Sequence, residues 1–135
     1  VADSMRYLPQ TPPMRFRSTI RIKGENKGTM LTMPTLAMTV EHTMKQDHIY
    51  RAFETETETA AYTVVNLSMS CETMISKELR PIISVSINNL FDGVYQHHLS
   101  RLKYEGYNAQ TGSYGVNAPG RAVQIRLTLP FTFTQ

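Results

Sequence analysis

A strict period-two alternation of apolar and polar residues, repeated in five separate runs, constrains this chain more than any other feature. In Met14–Lys23 (MRFRSTIRIK), Met14, Phe16, Ser18, Ile20 and Ile22 fall on one face of an extended strand, and Arg15, Arg17, Thr19, Arg21 and Lys23 fall on the other. A helix would scatter those four cations around its circumference, so the run reads as a strand. Leu36–Lys45 alternates Leu36, Met38, Val40 and Met44 with Ala37, Thr39, Glu41, Thr43 and Lys45, and His42 interrupts its apolar face. Tyr62–Cys71 sets Val65, Leu67, Met69 and Cys71 against Val64, Asn66, Ser68 and Ser70. Ile82–Asn89 sets Ile83, Val85 and Ile87 against Ile82, Ser84, Ser86 and Asn88. The last run, Arg121–Phe131, sets Val123, Ile125, Leu127, Leu129 and Phe131 against Ala122, Gln124, Arg126 and Thr128.

Strands of about nine to eleven residues with one apolar and one polar face suit a transmembrane barrel. A soluble antiparallel sandwich shows the same alternation. Two details favour the barrel. Arg, Lys, Glu, Gln and Asn stand at mid-strand on the polar faces, as a wet lumen would hold them. The connections, expected over Gly24–Pro34, Gln46–Ala61, Glu72–Pro81 and Phe91–Gly120, also alternate in length, as periplasmic turns and extracellular loops do. Leu8–Pro13 (LPQTPP) forbids helix and leads into the first strand. The low-complexity Glu54–Thr59 (ETETET) places three carboxylates on one face if extended, which predicts a solvated loop rather than a calcium site.

The remaining composition excludes other classes. No stretch reaches the roughly 20 uncharged apolar residues of a spanning helix. A net charge of +3 without a block of Lys and Arg gives no argument for nucleic acid. Cys71 is the sole cysteine, which excludes an internal disulfide and a cysteine-based zinc site; within a strand it reads as a small apolar residue. The eight methionines read as apolar side chains rather than metal ligands. No phosphate loop, dinucleotide fingerprint or metalloprotease motif is present, and Ser100 near His97 and His98 lacks a nucleophile-elbow context, so no catalytic residue and no cofactor is expected.

From Val85 the chain runs VSINNLFDGVYQHHLSRL to Leu102, then reaches Pro119-Gly120-Arg121 and the last alternating strand. This resembles the C-terminal end of TonB-dependent outer-membrane receptors of the Bacteroidetes type. In that family a strand ends in an Asn89-Leu90-Phe91-Asp92-like motif, a Tyr-x-x-His-Leu-Ser-Arg-Leu loop follows, and a Pro-Gly-Arg signature opens the final strand. Leu8-Pro9, Pro12-Pro13 and Arg15, then Val40-Glu41-His42 with Lys45-Gln46, then Tyr62-Thr63 with Asn66, are similar to earlier pieces of the family in the same order.

The resemblance implies an all-β antiparallel meander of five to six strands, the C-terminal part of a transmembrane barrel of about 22 strands. Residues 1–135 would then be one barrel fragment with part of a sixth strand near Val1–Tyr7. It opens without a basic-then-apolar leader, and the plug and the TonB-box segment are expected to lie outside it. The implied function is uptake of a scarce nutrient (ferric siderophore, cobalamin or glycan) across the outer membrane of a Gram-negative bacterium. The implied partners are the rest of the barrel and plug, outer-membrane lipid, TonB through the missing N-terminal part, and a small-molecule nutrient. The competing expectation is a soluble all-β module that binds carbohydrate or another ligand.

Ligand contact is expected from the loop residues His97, His98, Arg101, Tyr104, Tyr107 and Tyr114, whose cations and aromatics suit catecholate or anionic ligands or sugar stacking; Lys103 belongs to the same group. Adjacent histidines point to opposite sides of an extended chain, so His97 and His98 make a poor chelate, and a role in folding the loop is expected of them ahead of a metal or ligand role. The polar-face Arg15, Arg17, Arg21, Lys23 and Arg126 are expected either to steer anions or to meet plug carboxylates. Three departures from the family stand out. Pro130 lies inside the expected last strand, Thr132–Gln135 extends beyond Phe131 with Phe133 on the same face, and His42 on the apolar face requires a position near a strand end.

Overall fold

The computed structural model describes residues 6–25, 31–75 and 79–130. These residues are all-β apart from short 3-10 turns at Ala52–Glu54 and Arg101–Tyr104. The strands are β1 (Arg15–Lys23), β2 (Leu31–Thr43), β3 (Tyr62–Thr73), β4 (Ile82–Asn88), β5 (Tyr107–Asn108), β6 (Ser113–Tyr114) and β7 (Ala122–Thr128). One five-stranded sheet runs β1-β2-β3-β4-β7, and β5 pairs with β6 in a separate ribbon. The sheet is open: β1 and β7 are its two edges, and the described residues form no closed barrel.

Register shows why the alternation matters. β3 and β4 align Leu67 with Ile87, Met69 with Val85 and Cys71 with Ile83, and β7 continues each row with Val123, Ile125 and Leu127. The intervening rows join Ser68, Ser86 and Gln124, and Ser70, Ser84 and Arg126. The sheet therefore carries wholly apolar rows on one face and polar rows on the other, because neighbouring strands share the period of two. On β1 and β2 the polar face is held by Thr19 and Thr39, whose hydroxyls lie 3.0 Å apart, and by Glu41 beside Arg15 and Arg17 at 3.5 and 3.8 Å. Shallow hollows of about 550 and 370 Å³ lie along the polar face, one lined by Ser84, Ser86, Gln124 and Arg126, the other by Arg21, Lys23, Ser68 and Ser70 among others.

Among the described residues no second layer covers the apolar face. Ile20, Ile22, Met69, Val123 and Leu127 are exposed, and Ile125 is 77% exposed. Among the described residues the buried apolar side chains are only Ala37, Ile49, Ala52 and Val64. A soluble domain of this length normally buries most of its large aliphatic side chains, and the described residues of this sheet do not. Two open edges and a bare apolar face give a concrete expectation. Transferred from denaturant into detergent-free buffer, the chain should associate through edge pairing and apolar contact, seen as large species in sedimentation velocity. A monomer with a single cooperative unfolding transition would contradict this.

Strand positions agree with the alternation, with three corrections. β2 begins at Leu31, not Leu36, and so includes Pro34. Proline is tolerated there because it stands at the end of the ladder with β1, where only its carbonyl is used: Gly24 N–H donates to Pro34 O at 2.7 Å. A side chain at position 24 would collide with the proline ring 2.7 Å away, so glycine admits this close approach. Between β3 and β4 the pairing continues past the strand ends to Ile75 N–H on Leu79 O, so the ladder extends into the expected Glu72–Pro81 connection. Finally, β7 stops at Thr128, before Pro130, rather than running to Phe131. The expected roles of Phe131, Phe133 and the Thr132–Gln135 extension lie outside the described residues, as does the Val1–Met5 part of the sixth strand expected near Val1–Tyr7; Arg6 and Tyr7 are not in a strand.

Connections alternate short and long along the sheet: residues 24–30 and 74–81 are brief, whereas residues 44–61 and 89–121 are long. Two compact units result, one of residues 1–17, 41–63 and 93–120 and the other of residues 18–40, 64–92 and 121–135. The first holds the long loops with the strand ends that carry them; the second holds most of the sheet.

Candidate functional site

The ends of β4 and β7 are shaped by the two motifs singled out in the sequence. Asn89 and Asp92 both adopt positive φ (51° and 55°), and Asp92 N–H donates to Asn89 O at 2.9 Å, closing a tight turn after β4. Asn66 of β3 accepts from Asn89 N–H at 2.9 Å, and Val65 O accepts from Leu90 N–H at 2.8 Å. Asp92 Oδ1 then accepts from Arg121 N–H at 2.7 Å, directly before β7. The Asn89-Leu90-Phe91-Asp92 and Pro119-Gly120-Arg121 segments thus meet, and their contact sets where the β4–β7 ladder ends. Phe91 is exposed. His42, on the apolar face of β2, is the strand's next-to-last residue and bonds Thr63 at 2.8 Å, the strand-end position its polarity requires.

The long loops are organised around a buried polar cluster. His98 Nε2 lies 2.8 Å from Glu56 Oε1, and His98 Nδ1 lies 2.8 Å from Thr59 Oγ1. Glu56 also accepts from Gln10 N–H at 3.2 Å and from Tyr50 N–H at 2.8 Å, so one carboxylate ties three chain segments together. Lys103 donates to Thr57 O, Glu58 O and Thr59 Oγ1 at 2.6, 2.8 and 2.7 Å. Burial pushes the Lys103 ammonium below its ordinary pKa, partly offset by the charge of Glu56. Gln46 adds a bond from its amide to Thr11 O at 2.7 Å and a backbone bridge to Thr59.

This corrects the expectation for Glu54–Thr59. Glu54 has φ of 52° at the end of a 3-10 turn, which breaks the extended geometry that would have put three carboxylates on one face. Glu56 turns inward, while Glu58 stays exposed and pairs with Lys45 at 2.9 Å and Arg51 at 3.2 Å. The Lys45 contact holds Glu58 below, and Glu58 holds Lys45 above, the ordinary range.

The residues expected to contact ligand divide among several roles. His98 is buried with both ring nitrogens engaged, so it serves the loop packing. His97 is exposed, bonds Tyr62 OH at 3.0 Å and meets a different set of partners from His98, with which it enters the turn closed by Ser100 N–H on His97 O. Arg101 and Tyr104 line a small hollow of about 80 Å³ beside Glu56 and His98. Tyr107 and Tyr114, facing each other across the β5–β6 ribbon, make an edge-to-face pair at 5.3 Å. Ser100 caps the turn at Arg101–Tyr104 without a side-chain bond to it; its backbone N–H donates to His97 O at 3.1 Å, and among the described residues no side-chain bond joins it to either histidine. No group of three metal-ligating side chains is found among the described residues.

A larger hollow of about 290 Å³ in the same unit is lined by Glu58, Tyr62, Tyr95, Gln96, Lys103, Tyr114 and Asn117 among others. Tyr62 and Tyr95 stack at 4.3 Å with their planes 23° apart. Sequence reasoning found Tyr114 and Lys103 but not Tyr62, Tyr95, Gln96 or Asn117. Tyr95 sits two residues before His97 and Tyr62 opens β3; nothing local marks either as lining a hollow with Tyr114.

Gly115 closes this region. Its φ is 74°, it is buried, and a Cβ there would lie 2.3 Å from Lys103 O. Gly115→Ala should therefore destabilise the loop unit by about 1–3 kcal/mol, read as faster hydrogen exchange at Val116 and Ala118, whose N–H groups bond Leu102 O and Tyr95 O. Unchanged exchange would contradict the packing described. Compared with family models, curated proteins and solved structures, the chain matches none.

Proposed function

We propose that this chain is the C-terminal strand set of an outer-membrane β-barrel, and that the barrel is a TonB-dependent receptor for uptake of a scarce nutrient. The observation that carries the barrel reading is the pairing of unlike faces across β3, β4 and β7: apolar rows without a covering layer, polar rows opposite, and free edges at β1 and β7. In hydrocarbon every backbone N–H and C=O needs a partner, so an open five-stranded strip has to be completed by further strands. Short connections at one end and long, internally packed ones at the other suit periplasmic turns and extracellular loops. The receptor assignment is finer and rests on the motif resemblance from Leu8 to Arg121. On this reading the remaining barrel, the plug, outer-membrane lipid and the nutrient are the partners, TonB acts through a segment outside this chain, and no catalytic step belongs to it.

A soluble binding module would need a second layer against one face of the sheet. The other sheet among the described residues is a ribbon of two residues per strand. Expression of the full-length protein in a Gram-negative host tests the reading. It should fractionate with the outer membrane, require detergent for extraction, and migrate faster unheated than boiled on a denaturing gel. Recovery from the soluble fraction as a monomer with heat-independent migration would overturn it.

A further inference from the structure

We propose that the 290 Å³ hollow beside the Tyr62–Tyr95 stack is a binding site for a neutral, ring-shaped polyol, a pyranose unit, and not for an anion. The argument is a hydrogen-bond inventory of the charged groups around it. The Lys103 ammonium has three protons and uses all three on Thr57 O, Glu58 O and Thr59 Oγ1. The Glu58 carboxylate is engaged by Lys45 and Arg51. An incoming anion would have to break one of these bonds and find no cation in exchange. The free polar groups are all neutral. Asn117 has its whole amide available, Gln96 has an amide oxygen and one N–H beyond its bond to Tyr114 O, and the hydroxyls of Tyr95 and Tyr114 make no hydrogen bond among the described residues. Partial burial, with the nearby Tyr62 and Glu41, holds the Tyr95 phenol above its ordinary pKa, so it stays a neutral O–H donor.

Shape agrees with chemistry. Flat aromatic rings with a few amides and hydroxyls around them suit the C–H face and the hydroxyl rim of a sugar ring. The volume is near the lower bound of about 300 Å³ for small-molecule pockets, which fits one or two such rings and not a bulky metal chelate. This deepens the receptor reading, on which it rests for the side from which ligand arrives, and it decides between the anionic and the sugar ligands that the loop composition alone left open.

The test is saturation-transfer NMR on the full-length protein in detergent, with maltotriose, cellotriose and xylotriose as neutral probes and salicylate as the anionic aromatic probe. At least one trisaccharide should receive transfer at its ring C–H protons, undiminished by added salt. Tyr95→Ala should weaken that binding about tenfold. Because Tyr95→Ala also removes the stacking partner of Tyr62, Asn117→Ala is the second variant; it loses amide bonds without touching the stack and should weaken binding severalfold. Three outcomes overturn the proposal: no trisaccharide receives transfer, salicylate alone binds and is displaced by salt, or sugar binding is indifferent to both variants. Heat-modifiable migration, measured on the same sample, separates these outcomes from failure of the receptor reading.

Discussion

Glu56→Ala should destabilise the loop unit by about 3–5 kcal/mol while leaving the sheet's strand pairing in place. The carboxylate is nearly inaccessible, as is the His98 ring it meets, with side-chain exposures of 5% and 1%. Truncation orphans three donors at once: the Gln10 and Tyr50 backbone N–H groups and, in the tautomer that bonds Glu56, His98 Nε2–H. Each lies where water has little access, so the loss is the desolvation cost of several unmet polar groups rather than the modest net value of one bond. Hydrogen exchange and limited proteolysis should localise the damage to residues 44–61 and 93–120. Glu58→Ala, two positions on and exposed, should change little, since its ion pairs with Lys45 and Arg51 are open to solvent. Equal sensitivity at both sites would contradict the buried cluster.

Ile125→Arg carries the second large effect and separates the two environments proposed for the sheet. In the isolated chain Ile125 is 77% exposed, so in water the substitution would fall within about 0.5 kcal/mol and would help solubility. Facing hydrocarbon at mid-strand, the same arginine costs about 2–4 kcal/mol. Gln124→Glu, one residue away on the polar face, should be nearly neutral in either case, because its side chain lies among Ser86, Ser84 and Arg126. Urea unfolding of the full-length protein folded into lipid bilayers gives both numbers. A negligible penalty for Ile125→Arg in bilayers would count against lipid contact on this face.

These two predictions also mark how far the sequence could be read. β1, β3, β4 and β7 were legible because period two is a local property: any four or five residues of Arg15–Lys23 display it. The start of β2 was hidden by Pro34, which normally stops a strand and here sits at the last rung opposite a glycine; both facts involve a partner strand the linear pattern does not show. The turn of Asn89–Asp92 and its bond to Arg121 were legible only as a resemblance between motifs, and their geometry supplies the physical reason the two belong together. The loop cluster was least legible. Glu56 meets His98, and Lys103 meets Thr59, across more than forty residues, so the same low-complexity run that reads as a solvated loop supplies the most buried carboxylate in the unit. Likewise the cations counted toward an anionic ligand, His98 and Lys103, turn out to be consumed internally.

The central claim is that alternate residues of this sheet face lipid and water. The most direct measurement is a nitroxide scan of β7 from Val123 to Thr128 in the full-length protein, with Cys71 replaced by Ala, reconstituted in bilayers. The account predicts access to oxygen dissolved in lipid at Val123, Ile125 and Leu127, and access to a water-soluble nickel complex at Gln124, Arg126 and Thr128. Nickel access at all six positions, or no alternation, would contradict it.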